Sequence, residues 1–126
     1  MTTSLRTGVD LIEIDRFISA YQRYDQRFLQ RLFTPTELAE NAENMASLAA
    51  RFAAKEAVAK AFSTGIGNIS WKDIEILRGD SGEPVLHLHG AAQKMAEEQN
   101  INTWSISLSH TQSHAIAIVV AIVEQA

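Results

Sequence analysis

Arg51-Phe52-Ala53-Ala54-Lys55-Glu56-Ala57-Val58-Ala59-Lys60 is the stretch on which the fold of this chain turns. It has no glycine or proline and a single β-branched residue, and alanine is the best helix former. The stretch therefore belongs to a long helix, predicted from about Asn44 to Ser63 and closed at Gly65 by a left-handed cap. At about 100° per residue, Met45, Leu48, Phe52 and Ala59 fall in one narrow apolar arc. Glu56 falls inside that arc and Lys60 at its edge, whereas an amphipathic helix would put both on the far side. An ordinary i,i+4 ion pair, worth about 0.3–0.5 kcal/mol, explains why Glu56 and Lys60 are together. It does not explain their place on the side predicted to face the core. Functional sites are where a sequence breaks its own pattern.

Before this helix, Thr7 to Ile14 reads as a strand, apolar on both faces. Alternation puts Gly8, Asp10, Ile12 and Ile14 on one face and Val9 and Leu11 on the other. A carboxylate amid apolar residues needs a cation, a metal or hydrogen bonds. Asp10 is either a strand-end aspartate bonded to backbone amides or an oxygen ligand. Asp15 is expected to cap a helix running to about Phe33, with a kink near Asp25. Thr34-Pro35 restarts the chain with Thr34 as cap, Pro35 in the first turn and Glu37 completing a capping box.

After the long helix, Trp71 to Arg78 and Pro84 to Leu88 read as strands joined by Gly79-Asp80-Ser81-Gly82, a hairpin signal. Ala91 to Gln99 is a short helix. Thr103 to His110 and His114 to Val123 form a closing pair of strands around Thr111-Gln112-Ser113. With no repeat or linker, residues 1–126 read as one compact α+β domain, an antiparallel sheet packed on a long central helix.

Composition narrows the function. Hydrophobic residues make 46% of the chain and charged ones 21%, ordinary for a soluble globular protein. The formal net charge of −4 argues against general nucleic-acid binding, so an anionic ligand must be met by a local cluster of cations. The absence of cysteine rules out disulfides and thiolate metal sites and suits a reducing, cytoplasmic setting. No apolar signal core opens the chain, and no run approaches a membrane span.

Several further residues carry chemistry. Two oxygen ligands from separate elements, Asp10 and Glu56, completed by waters and phosphate oxygens, suit Mg²⁺, with Lys60 free to meet a phosphate. Gly65-Ile66-Gly67 would let bare backbone approach a phosphate. His110 ends the apolar face of its strand after Trp104, Ile106 and Leu108, as either a structural residue or a catalytic one. His87 and His89 lack a third ligand and read as surface residues. On the first helix Arg16, Arg23 and Arg27 sit within about 40° of one another, with Arg31 near the same edge if the helix is regular. Such a stripe on an acidic protein is either a solvated face or the dock for an acidic partner.

Three segments in register resemble the holo-acyl-carrier-protein synthase family of small phosphopantetheinyl transferases. They are Gly8-Val9-Asp10, the Arg51 to Lys60 stretch running into Phe62 and Gly65-Ile66-Gly67, and Ser107-Leu108-Ser109-His110-Thr111. Order, spacing and chain length agree over nearly the whole chain. The resemblance implies the 4'-phosphopantetheinyl transferase-like fold and a role in fatty-acid biosynthesis. It implies that a carrier-protein serine attacks the β-phosphate of coenzyme A and that adenosine 3',5'-bisphosphate leaves. It implies that Asp10 and Glu56 bind Mg²⁺, that Lys60 contacts the phosphates and that Gly65 lines the donor site. Arg51, His110 and Thr111 would hold the adenosine 3'-phosphate end, and Arg16, Arg23 and Arg27 would receive the acidic helix of acyl carrier protein. Glu56, through a water, or His110 would take the serine proton. A homotrimer with sites at subunit boundaries is implied as well. Thr7 stands where the family usually has an aliphatic residue. Ile12 stands where larger relatives carry a second acid, so no third protein ligand is expected from this strand.

Two other readings compete. A non-catalytic coenzyme A or nucleotide sensor would bind the donor without turnover. A Mg²⁺-dependent phosphohydrolase would use the same two carboxylates but would have no need of an arginine-striped helix.

Overall fold

The computed structural model describes residues 2–42, 44–63, 67 and 69–125. Strand β1 (Thr2–Glu13) leads into helix α1 (Ile14–Leu32), and α2 (Pro35–Asn41) and α3 (Met45–Ala61) follow. A 3₁₀ turn at Trp71–Asp73 opens β2 (Ile74–Arg78), which hairpins into β3 (Pro84–Leu88). Helix α4 (Gly90–Glu98) precedes β4 (Ile101–His110) and β5 (His114–Gln125). The strands make a three-stranded sheet in the order β1-β5-β4 and a separate two-stranded sheet of β2 and β3, antiparallel throughout.

Local chemistry accounts for most boundaries. Thr34 accepts from the Glu37 amide at 3.1 Å while Glu37 accepts from the Thr34 amide at 2.9 Å, so the expected capping box is complete. Asn44 caps α3 through the Ser47 amide. The kink expected in α1 lies at Asp25, with φ 55° and ψ −145°. Asp15 is not the cap of α1: that position is Glu13, and Asp15 lies in the first turn, where its charge favours the helix dipole. Strand β2 starts at Ile74, not Trp71, because Ser70 and Asp73 form a capping box that winds residues 71–73 into a 3₁₀ turn. Strand β1 reaches back to Thr2, extended by pairing with β5 along its full length.

The largest correction concerns the faces of α3. Of the predicted arc Leu48 and Ala59 are buried, but Met45, Phe52 and Glu56 are only half-buried, and the buried residues of the helix are mostly alanines: 49, 50, 53, 54, 57, 59 and 61. Hydropathy ranks Phe and Met above Ala, but a methyl side chain lets two backbones approach closely, so here alanine marks the core. Ala53, Ala54, Ala57 and Val58 meet Ala117, Val119 and Ala121 of β5 beneath the helix. Phe52 turns the other way and packs on Phe17 and Trp71, ring centroids 6.2 and 5.2 Å apart. The kinked α1 folds over the N-terminal half of α3, where Phe17, Leu29 and Phe33 cluster with Leu48, Ala49 and Ala50.

Where β1 crosses α3 the contact is closest. A Cβ placed on Gly8 would stand 1.9 Å from the carbonyl oxygen of Ala57, so only glycine fits. Gly8→Ala is expected to lower stability by about 1–3 kcal/mol or more, read as a lower midpoint in urea unfolding. Adding Ala57→Gly should not restore it, because the obstructing atom is backbone.

Candidate functional site

Asp10 lies two residues beyond Gly8 on the same face of β1, and Lys60 lies one turn beyond Ala57 on α3. The glycine contact therefore brings them together across some fifty residues of chain. The Lys60 ammonium donates to Asp10 Oδ1 at 2.9 Å and to the Val9 carbonyl at 3.1 Å. Asp10 is thus paired through its side chain with a cation, and among the described residues no backbone amide donates to its carboxylate. The i,i+4 ion pair with Glu56 is not made: among the described residues the partner of Lys60 is on the strand.

Glu56 is half-buried on the same side of α3. Its carboxyl is held above the ordinary glutamate range by burial first and by the nearby Asp10 charge second, with Lys60 pulling the other way. With the Asp10 charge near the Glu56 carboxyl and one exposed ammonium beside them, the arrangement gathers hard oxygen donors of the kind a divalent cation can use. Among the described residues no cluster of three or more His, Cys, Asp or Glu forms. Two protein carboxylates with remaining positions open to water and phosphate oxygens is the ligand count Mg²⁺ favours.

The other expected residues are more dispersed. His110 is exposed at the end of β4, its Nδ1 3.4 Å from the Thr111 carbonyl oxygen. The Thr111 hydroxyl accepts from the amides of Ser113 and His114, closing the turn that carries both residues. Arg51 is 7% exposed and donates to Ser47 Oγ at 3.2 Å. Burial, the Arg78 charge next, lowers its pKa, against the opposing pull of Glu40 and Glu37. Gly65 falls outside the described residues.

Arg16, Arg23, Arg27 and Arg31 are all exposed, but the Asp25 kink breaks the regular spacing on which a single stripe depends. Arg16 borders an apolar recess formed with Phe17, Ala20, Phe28 and Phe52. Arg23 and Arg27 line a second recess around the kink, and Arg27 and Arg31 flank Trp71 in a third. The four exposed arginines are spread over two helical segments.

Sequence reasoning missed a buried polar centre one residue from Glu56. Lys55 is fully buried and its ammonium reaches Glu37 Oε1 at 2.8 Å, the Trp71 carbonyl at 3.0 Å and the Ile74 carbonyl. Glu37 Oε2 accepts from the Ile76 amide at 2.8 Å. Burial pushes the Lys55 ammonium down and Glu37 opposes that shift. Glu37 was legible only as a capping residue; its partners lie 18 and 39 positions away, beyond any local signal. His89, expected on the surface, is about half-exposed and holds Glu75 at 2.9 Å, while Thr34 Oγ1 donates to the same carboxylate at 2.6 Å. Burial would raise Glu75, but these bonds outweigh it and leave its carboxyl below the ordinary range.

Comparison with known proteins bears on the family and the fold. The family model of the 4'-phosphopantetheinyl transferase superfamily matches residues 6–119. A holo-[acyl-carrier-protein] synthase of Herpetosiphon aurantiacus is 49% identical over 123 residues, covering 92% of this chain and 97% of the relative. The crystal structure of the Helicobacter pylori holo-[acyl-carrier-protein] synthase in complex with coenzyme A superposes with a TM-score of 0.83 at 34% identity, over 91% of this chain and 98% of that one. The Neisseria meningitidis synthase gives 0.85 at 38% identity, over 92% and 96%.

Because the folded protein holds the Glu56 proton more tightly than the unfolded chain does, stability contributed by protonated Glu56 is lost as pH rises through that raised range. Divalent-cation affinity, which needs the carboxylate, should rise over the same range. Carbon-13 NMR titration of the Glu56 carboxyl should give a midpoint above that of an ordinary glutamate, and Asp10→Asn should lower it. An unchanged midpoint in that variant would show the two carboxylates to be independent.

Proposed function

The chain belongs to the 4'-phosphopantetheinyl transferase superfamily and is an enzyme that transfers the 4'-phosphopantetheine arm of coenzyme A to acyl carrier protein; we propose how its own residues divide that work. Asp10 and Glu56 hold Mg²⁺. The observation that carries this is their convergence at the crossing of β1 and α3, with Lys60 bonded to Asp10 and the Glu56 carboxyl held above the ordinary range by burial first and the Asp10 charge second. Bound there, the ion supplies charge neutralisation on the pyrophosphate of the donor.

The protein's own groups do the rest. Lys60 is more than half exposed, on a long flexible stem, and stabilises charge that builds up on the phosphates. The carrier serine oxygen forms a bond to the β-phosphorus as the bond to the bridging oxygen breaks, and adenosine 3',5'-bisphosphate departs with that oxygen. Glu56 is assigned as the group that takes the serine proton, through a water, since a raised carboxyl pKa improves a base at neutral pH. His110, exposed and with ring capacity to spare, is the second assignment. Arg51, His110 and Thr111 hold the 3'-phosphate end of the donor.

Arg16, Arg23 and Arg27 receive the acidic recognition helix of the carrier. Their support is exposure, like charge, and the apolar recess beside Arg16 into which a partner's apolar side chain fits. The enzyme works as a homotrimer in the cytoplasm. Trimerisation is supported by the outer face of the main sheet, where Leu5, Val9, Leu11, Ile116 and Ile118 are between 40% and 65% exposed. Val9 lies opposite Ile118 and Leu11 opposite Ile116, so these side chains form one apolar patch of the kind that marks an interface.

The direct test is intact-mass spectrometry of an apo carrier protein incubated with the enzyme, coenzyme A and Mg²⁺. The carrier should gain the mass of the phosphopantetheine arm, and the gain should vanish with EDTA. Glu56→Gln should abolish metal-dependent turnover with an unchanged circular dichroism spectrum; normal activity would defeat the metal assignment. If coenzyme A binds but no carrier gains mass, the chain is a donor-binding module.

Reversal of Arg16 and Arg23 to Glu removes two exposed charge contacts of about 0.2–1 kcal/mol each. The KM for the carrier should rise roughly two- to thirtyfold, with coenzyme A affinity unchanged. Equal loss of both affinities would make the arginines structural.

A further inference from the structure

We infer that Ser47, Asn41 and Arg78 are positioning residues for donor recognition, setting the Arg51 guanidinium toward the 3'-phosphate of coenzyme A; this rests on the assignment of Arg51 to that phosphate. The four side chains form a directed chain of hydrogen bonds. The Asn41 amide nitrogen donates to the Glu37 carbonyl at 2.6 Å, which fixes the amide orientation and leaves Oδ1 as the acceptor facing the other way. Oδ1 accepts from Arg78 Nη2 at 3.3 Å and from the Ser47 hydroxyl. With its one proton committed to Asn41, the Ser47 oxygen has only lone pairs left to offer, and it accepts from Arg51 Nη1 at 3.2 Å.

The far end of the chain is anchored. Arg78 receives nothing from Arg51 and holds α2 instead: its guanidinium donates to the Glu40 carbonyl, and its amide donates to Glu40 Oε1 at 3.0 Å. Asn41 is 2% exposed and Arg51 7%, with half-buried Ser47 between them, so both ends of the link lie where a hydrogen bond weighs more than in open water. Arg51 Nε is the buried side-chain donor without a partner among the described residues. A guanidinium tethered at one nitrogen, with unspent donors and a second guanidinium nearby, is held in readiness for an anion. Arg78 adds positive potential at the same point while its own donors stay with α2.

The test compares coenzyme A with 3'-dephospho-coenzyme A as donors. Arg51→Met should erase the preference for the phosphorylated donor; if it does not, the assignment of Arg51 falls and the positioning inference with it. Ser47→Ala and Arg78→Met should each raise the KM for coenzyme A about two- to tenfold, the range of one hydrogen bond. Both should leave kcat, the KM for 3'-dephospho-coenzyme A and the KM for the carrier unchanged. Ser47→Thr, which keeps the hydroxyl, should restore the preference. If Ser47→Ala and Arg78→Met weaken both donors alike while Arg51→Met still erases the preference, the chain is a structural tie only and the inference is overturned.

Discussion

The approach of β1 to α3 at Gly8 and Ala57 sets the geometry of everything around it. A strand and a helix usually stand apart by the thickness of their side chains, yet here a hydrogen faces a carbonyl oxygen, with no room for a carbon. The short distance extends along the helix because Ala53, Ala54, Ala57 and Ala61 face Ala117 and Ala121 across the same layer. At that separation a lysine one turn beyond Ala57 reaches the strand, and an aspartate two residues beyond Gly8 lies within reach of both Lys60 and Glu56. A wider crossing would leave three solvated charges on a surface.

The same helix carries two lysines with opposite fates, five residues apart and therefore about 140° around the helix. Lys60 is exposed and pairs with a carboxylate of the site. Lys55 is buried and pairs with Glu37, tying α3 to α2 and to the backbone at residues 71, 74 and 76. A buried ion pair contributes little net stability against an apolar replacement, but losing one partner costs about 3–5 kcal/mol. Its value is positional: three elements meet at one carboxylate, and their relative placement is fixed by directed bonds that apolar contacts do not supply. From the same fastening run Asn41, Ser47 and Arg51, so the arrangement of α2 passes into the proposed donor site.

Strand β5 inverts the usual sheet pattern. Its inner residues include Ala115, Ala117 and Ala121, fully buried under the helix, while Ile116 and Ile118 face outward and exposed. Small residues inside follow from the close helix. Large apolar residues outside are costly in water at about 25 cal/mol per Å², a cost that an assembly of several copies through this face would remove.

Capping residues, strand alternation and turn signals are local, and the sequence alone was enough to place the Thr34 cap, the start of α3 near Asn44, the Asp25 kink and the alternation of Gly8, Asp10 and Ile12 against Val9 and Leu11. Glu56 and Lys60 were legible as misfits among apolar neighbours, and the three motifs in register were enough to identify the family. The tertiary structure alone decided which side of α3 is the core, because a helix of alanines has no strong hydropathic face and packs wherever backbones can approach. It also decided that Lys60 pairs with Asp10 and not with Glu56, that Lys55 is buried, and that Asn41 joins Ser47 to Arg78. Each of these is a directed contact between residues distant in sequence or on different elements. Local propensity carries no record of such pairings; they exist only once the packed elements have set the distances, as the close crossing at Gly8 does for Lys60 and Asp10.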